Sequence, residues 1–119
     1  MKPPFIDIQK LKEFKEAVRV LSDLTDHAAP LHQTLVFLET AYAQAKGESI
    51  EVAQIADVVD LSTSSTSRNV AALGEWHRSQ RAGLQLIKTE TDFSDRRRKP
   101  VVLTKKGETV VGLALDKIK

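Results

Sequence analysis

Asp95 to Thr104 reads D-R-R-R-K-P-V-V-L-T: an acid, four consecutive cations (Arg96, Arg97, Arg98, Lys99), a proline and a β-prone apolar run. Valine and leucine favour a pleated, half-buried strand. The charge therefore sits at a turn beside a strand, at the tip of a β-hairpin. Leu84 to Thr91 (L-Q-L-I-K-T-E-T), after the break at Gly83, reads as the outgoing strand, Asp92 to Arg98 as the tip and Pro100 to Leu103 as the return. Pro100 has no N–H to give the ladder, so its amide position is expected to face away from the partner strand. Taken alone, such a tip fits a solvated surface turn as well as it fits a binding surface.

The remainder is helical by pattern. Ile8, Leu11, Phe14, Val18, Leu21 and Leu24 recur at steps of three and four, with Lys10, Lys12, Glu13, Lys15, Glu16 and Arg19 between them. That spacing predicts an amphipathic helix over 5–24. Pro30 suits the first turn of a second helix, with an apolar stripe of Leu31, Leu35, Leu38, Ala41, Tyr42 and Ala45 closed by Lys46 and Gly47. Ser49 to Glu51 is long enough only for a stub of strand. A short helix is expected from Val52 to Val59, turning at Asp60 and Leu61, because Asp tolerates left-handed backbone. Thr104 caps a last helix carrying Val110, Val111, Ala114, Leu115 and Ile118.

Leu61 to Leu73, L-S-T-S-S-T-S-R-N-V-A-A-L, reads as the second helix of a helix-turn-helix. Ser62 is placed to cap it, and the helix is expected to run through Leu73 towards Trp76 or Arg78. Thr66, Val70 and Leu73 recur at steps of four and three and take the inner face with Leu61. Ser62, Thr63, Ser64, Ser65, Ser67 and Arg68 are left near the outer N-terminal end. Hydroxyls and free helix amides suit phosphate oxygens, and Arg68 alone on this face could make a bidentate contact to guanine. The plainer reading is a polar helix start, since Ser and Thr favour caps; the adjoining turn and the basic hairpin downstream favour a nucleic-acid surface. Trp76 is read as packed on the domain, with a partner contact as the alternative.

Composition sets the outer limits. The 119 residues, 41% of them apolar, make one domain with one core. No run approaches the roughly 18 apolar residues of a membrane span. The N-terminus lacks a signal-peptide core, and there are no cysteines, which fits a cytoplasmic protein. Arg68 to Lys106 holds ten Lys or Arg against four Asp or Glu, whereas the rest holds eight against twelve. One region is built to meet a polyanion. His27, His32 and His77 lack metal-ligand spacing, no P-loop or dinucleotide glycine pattern occurs, and no nucleophile has a base beside it. Neither an enzyme nor a cofactor is expected.

The class is thus mainly α: a winged helix-turn-helix (52–78) with an N-terminal amphipathic helix (5–24), a two-stranded hairpin wing (84–104) and a C-terminal helix (105–118). Two stretches, I-A-D-V-V-D-L-S-T-S-S-T-S-R-N-V-A-A-L and G-L followed by D-R-R-R-K-P-V-V-L-T-K-K-G, resemble the MarR-type family of winged-helix transcriptional regulators. Asp95, Arg97, Leu103, Thr104 and Gly107 fall in that family's D-x-R…L-T-x-x-G register, and the resemblance spans Leu35 to Gly107. It implies a homodimer on pseudo-palindromic double-stranded DNA, most simply a repressor, with an effector ligand that the residues do not name. In that pattern Arg97 enters the minor groove, Asp95 holds its guanidinium, and Arg96, Arg98 and Lys99 contact phosphate.

This chain departs from the pattern in a longer Leu73–Gly83 spacing, a longer hairpin, and an end about one helix after the wing, where members usually continue into a second dimerisation helix. The N-terminal and last helices are then expected to supply the dimer surface. The competing function is a winged-helix protein–protein adaptor, or a replication or partition accessory factor.

Overall fold

A computed structural model describes residues 6–26, 29–75, 83–90 and 98–119. Among the described residues, five helices and one small sheet follow in the order α1 (Ile8–Leu24), α2 (Leu31–Ala45), α3 (Val52–Val59), α4 (Thr63–Leu73), β1 (Ile87–Thr89), β2 (Val101–Leu103) and α5 (Lys105–Leu115). This is a mainly helical winged helix-turn-helix. No described helix is long and apolar enough to cross a membrane.

Local chemistry accounts for most of the boundaries. The Asp7 carboxylate accepts the Lys10 N–H at 3.0 Å and starts α1. Past α2, Gly47 takes φ +74°; its N–H donates to Gln44 O and that of Glu48 to Ala43 O, each at 2.9 Å. This paired closure uses two carbonyls that the helix end would otherwise leave open. Asp60 ends α3 in the left-handed region (φ 59°, ψ 49°) and redirects the chain into α4.

α2 is the hub, touching α3, α4, β2 and α5, whereas α1 is held chiefly by α5. Phe37, Val36 and Thr40 of α2 are fully buried with Ile55, Leu73, Leu86 and Ile87. Most of the apolar stripe read on α2 turns outward. Leu31, Leu35, Leu38 and Tyr42 are exposed, and the buried face is Gln33, Val36, Phe37, Thr40, Ala41 and Ala43. The helix is apolar on two sides, and only the second fits its own core. On α1 the same holds: Ile8, Leu11, Phe14, Val18 and Leu24 point outward, while Glu13, Ala17 and Leu21 are buried. Glu13 accepts from Gln9 Nε2 at 3.1 Å and from the Lys119 N–H, which ties the segment after α5 to α1. The Lys119 amide first, and Gln9 second, hold its carboxyl below the usual carboxylate range.

Three expectations near the wing are corrected. α4 stops at Leu73, with Gly74 as its cap (φ −96°, ψ −130°), and does not continue towards Trp76; residues 76–82 lie outside the described ones. The chain returns across the helix end, where Leu84, Leu86 and Gln85 N–H groups donate to Ala72, Leu73 and Gly74 carbonyls at 3.0, 2.8 and 2.8 Å. Residues 84–86 therefore close α4, and β1 begins only at Ile87. Pro100 lies opposite Glu90, whose N–H donates to its carbonyl at 2.9 Å. An antiparallel pair of this kind exchanges two bonds; Pro100 cannot return the second, so its amide position faces the partner strand and ends the ladder.

Candidate nucleic-acid interface

The turn at Asp60 delivers Ser62 as the cap of α4. Its Oγ accepts the Ser65 N–H at 3.0 Å, and its carbonyl accepts both the N–H and the hydroxyl of Thr66 at 3.0 and 2.9 Å. Thr66 is thereby buried with its hydroxyl satisfied, and with Leu73 it seats the helix on the core, Val70 and Leu61 being half-buried beside them. Ser62→Ala removes one cap bond and is expected to cost about 1 kcal/mol. Urea unfolding measures it, and an unchanged midpoint would count against the cap.

The opposite side carries the residues singled out from sequence. Thr63, Ser64, Ser67 and Arg68 are exposed and Ser65 is half-buried. Ser64, Ser67 and Arg68 share one face by their spacing. Arg68 Nη2 donates to Ser65 Oγ at 3.0 Å, which aims the guanidinium along the N-terminal turn of α4. Ser65 also accepts from Asn69 Nδ2 through its carbonyl, at 3.1 Å.

β1 and β2 pair antiparallel, with Ile87 opposite Leu103, Lys88 opposite Val102 and Thr89 opposite Val101. Ser67 and Ala71 of α4 line one groove of about 500 Å³ together with Lys88 and Thr89 of β1, so the helix and the wing share a face. Asp95, Arg96 and Arg97 lie outside the described residues. Arg98 and Lys99 are exposed at the start of the return limb. Arg98 is not simply turned to solvent, because its Nε lies 3.6 Å from Glu51 Oε2.

The base of the wing explains the L-T-x-x-G run. Thr104 Oγ1 donates to Gln85 O at 2.7 Å and accepts the Gly107 N–H at 3.0 Å, while its own N–H donates to Leu86 O at 3.0 Å. One threonine thus caps α5 and clamps both limbs of the hairpin. Gln85 adopts φ 59°, a conformation fixed from both sides by Gly74 O and Thr104 Oγ1. Glu51 and Lys88 were not picked out from sequence. Only the E-x-x-Q capping signature at 51–54 hinted at the former, and it says nothing of a contact to the wing. Among the described residues, no cluster of three or more His, Cys, Asp or Glu could hold a metal ion.

No family model matches the chain, and no curated protein matches it in sequence. Solved structures match in fold. The S. aureus MepR–DNA complex superposes with a TM-score of 0.65 at 18% identity, over 87% of this chain and 73% of that one. A MarR-like transcriptional regulator from Thermotoga maritima gives 0.57 at 24% identity, over 94% and 75%. Bordetella bronchiseptica BpsR, whose DNA binding is regulated by 6-hydroxynicotinic acid, gives 0.52 at 15% identity, over 90% and 73%. The fold is that of the MarR-like regulators.

Proposed function

We propose that this chain is a MarR-type regulator that binds double-stranded DNA in a sequence-specific manner, as a homodimer on a pseudo-palindromic site, most simply as a repressor. The observation that carries the reading is the shared face: an exposed row of hydroxyls ending in Arg68 on α4, beside a hairpin whose return limb opens with Arg98 and Lys99. A fold shared with a protein solved on DNA supports it.

In this reading α4 enters the major groove, with Thr63, Ser64, Ser65 and Ser67 fixing register on phosphates and Arg68 reading a base. The wing enters the neighbouring minor groove, where the narrow groove's negative potential favours a planar cation such as Arg97. Two copies set half-sites roughly 34–36 Å apart. The dimer surface is the outward apolar face of α1 and α2 with the end of α5. Phe14, Val18, Leu35, Leu38, Leu115 and Ile118 line a groove there of about 550 Å³. The radius of gyration, 15.6 Å, exceeds the roughly 13.5 Å of a compact monomer this long. An extended protomer with an open apolar face supports that dimer.

Selection of bound fragments from random DNA, with the mass of the complex measured in parallel, tests the reading. A palindromic motif bound by two chains is the expected result; no enrichment, or binding insensitive to salt, would favour a protein-binding adaptor. Neutralising roughly 6–10 phosphates should reduce affinity about 10³- to 10⁵-fold between 50 and 200 mM salt. Arg68→Ala is expected to relax preference at one or two base pairs per half-site, a loss of roughly 1–3 kcal/mol of discrimination. An unchanged motif would remove Arg68 from base readout. Arg97→Ala is expected to weaken specific binding more than binding to random duplex, and Lys99→Ala to weaken both alike.

A further inference from the structure

A single carboxylate joins the two DNA-facing parts of the fold. Glu51 stands at the N-cap of α3, where its side chain accepts the backbone N–H of Gln54 and Gln54 Oε1 accepts the Glu51 N–H at 2.8 Å. The same carboxylate accepts the Lys99 N–H through Oε1 at 3.2 Å and faces Arg98 Nε through Oε2 at 3.6 Å. Next to it, Ile50 O accepts the Val101 N–H at 2.7 Å. The return limb of the wing is therefore held on both sides: by β1 through the hairpin ladder, and by residues 50 and 51 through one backbone bond and one acid.

We propose that Glu51 is a positioning residue for DNA binding, locking the root of the wing to the first helix of the helix-turn-helix so that wing and α4 approach the duplex at a fixed angle. The proposal rests on the DNA-binding reading above. An acid beside a DNA surface repels phosphate, so on electrostatic grounds alone its removal would strengthen binding to any duplex. Its value must come from order. A hairpin root held before contact loses less conformational entropy on binding, and that gain reaches only complexes in which the wing is seated, which are the specific ones. The Arg98 contact by itself is a half-exposed ion pair of small worth; the bond to the Lys99 amide is the one that sets backbone direction.

The test compares Glu51→Ala with Glu51→Gln in the full chain. The glutamine keeps an oxygen for the Lys99 and Gln54 amides but loses the charge on Arg98. Without DNA, exchange of the Lys99 amide with solvent is expected to rise about tenfold in Glu51→Ala, with the amides of Val36 and Phe37 unchanged; an unaltered Lys99 rate overturns the latch whatever the chain binds. With DNA, the probes are a duplex enriched from random DNA by the wild-type chain and a random duplex of equal length. Glu51→Ala is expected to lose about tenfold on the first and nothing on the second, and Glu51→Gln to retain most of the affinity. Equal loss on both duplexes, or a gain on both, overturns the positioning role. Failure of the wild-type chain to enrich any sequence overturns the functional reading, while the exchange measurement still decides the latch.

Discussion

Alanine in place of Gly107 is expected to cost about 3 kcal/mol of stability, although it adds one methyl group. A Cβ at Gly107 would lie 2.0 Å from Leu86 O and 3.0 Å from Leu86 C. The obstacle is backbone, so no rotamer change relieves it. Leu86 cannot give way either: its side chain is fully buried and its carbonyl accepts the Thr104 N–H. The first turn of α5 must then back away from the wing base, and the Thr104 bonds to Gln85 O and Gly107 N–H go with it. Gly112 in the same helix has nothing within 4 Å. Alanine there is expected to raise stability by about 0.5–1 kcal/mol, because glycine loses more backbone freedom on folding. Urea unfolding of the two variants against wild type checks both signs. A loss at Gly107 below about 1 kcal/mol would mean that α5 and the wing do not approach so closely.

Gly107 also shows which parts of this fold were readable from residues alone. Features fixed by neighbours in sequence were readable: α3 spans Val52–Val59 as its pattern predicts, Asp60 takes the left-handed turn, and Ser62 and Thr104 cap their helices through their own side chains. Features fixed by distant groups were not. α4 could have continued past Leu73 on propensity, but its last carbonyls are taken by amides of residues 84–86, and the same bonds shorten β1. Glu51 meets Lys99 across 48 positions, a contact that no local pattern encodes. Periodicity identified the apolar stripe of α2 correctly as a stripe but not as an outward one. A helix with two apolar faces does not say which of them its own chain will cover.

That outward stripe leads to the second large effect. Glutamate in place of Phe14 is expected to leave the chain folded and, if the proposed dimer holds, to convert it to a monomer and reduce affinity for a palindromic duplex by about 10²-fold or more. Phe14 is 62% exposed and Leu31 73%, so neither contributes much to the core of its own chain. Exposed substitutions of this kind usually change stability by no more than about 0.5 kcal/mol. In the proposed dimer Phe14 lies within an apolar surface continuous across α1, α2 and α5, and burying a carboxylate there carries a penalty of several kcal/mol. Two-fold symmetry would place the acid in both subunits, doubling the cost. Each monomer can then engage only one half-site, and the local concentration that the first contact lends to the second is lost. Sedimentation and duplex binding, measured on Phe14→Glu and on Leu31→Glu as an independent disruption of the same face, decide the matter. If both variants sediment as wild type does, or if wild type is already monomeric when bound to its duplex, the apolar face belongs to some other contact and each recognition helix reads its half-site alone.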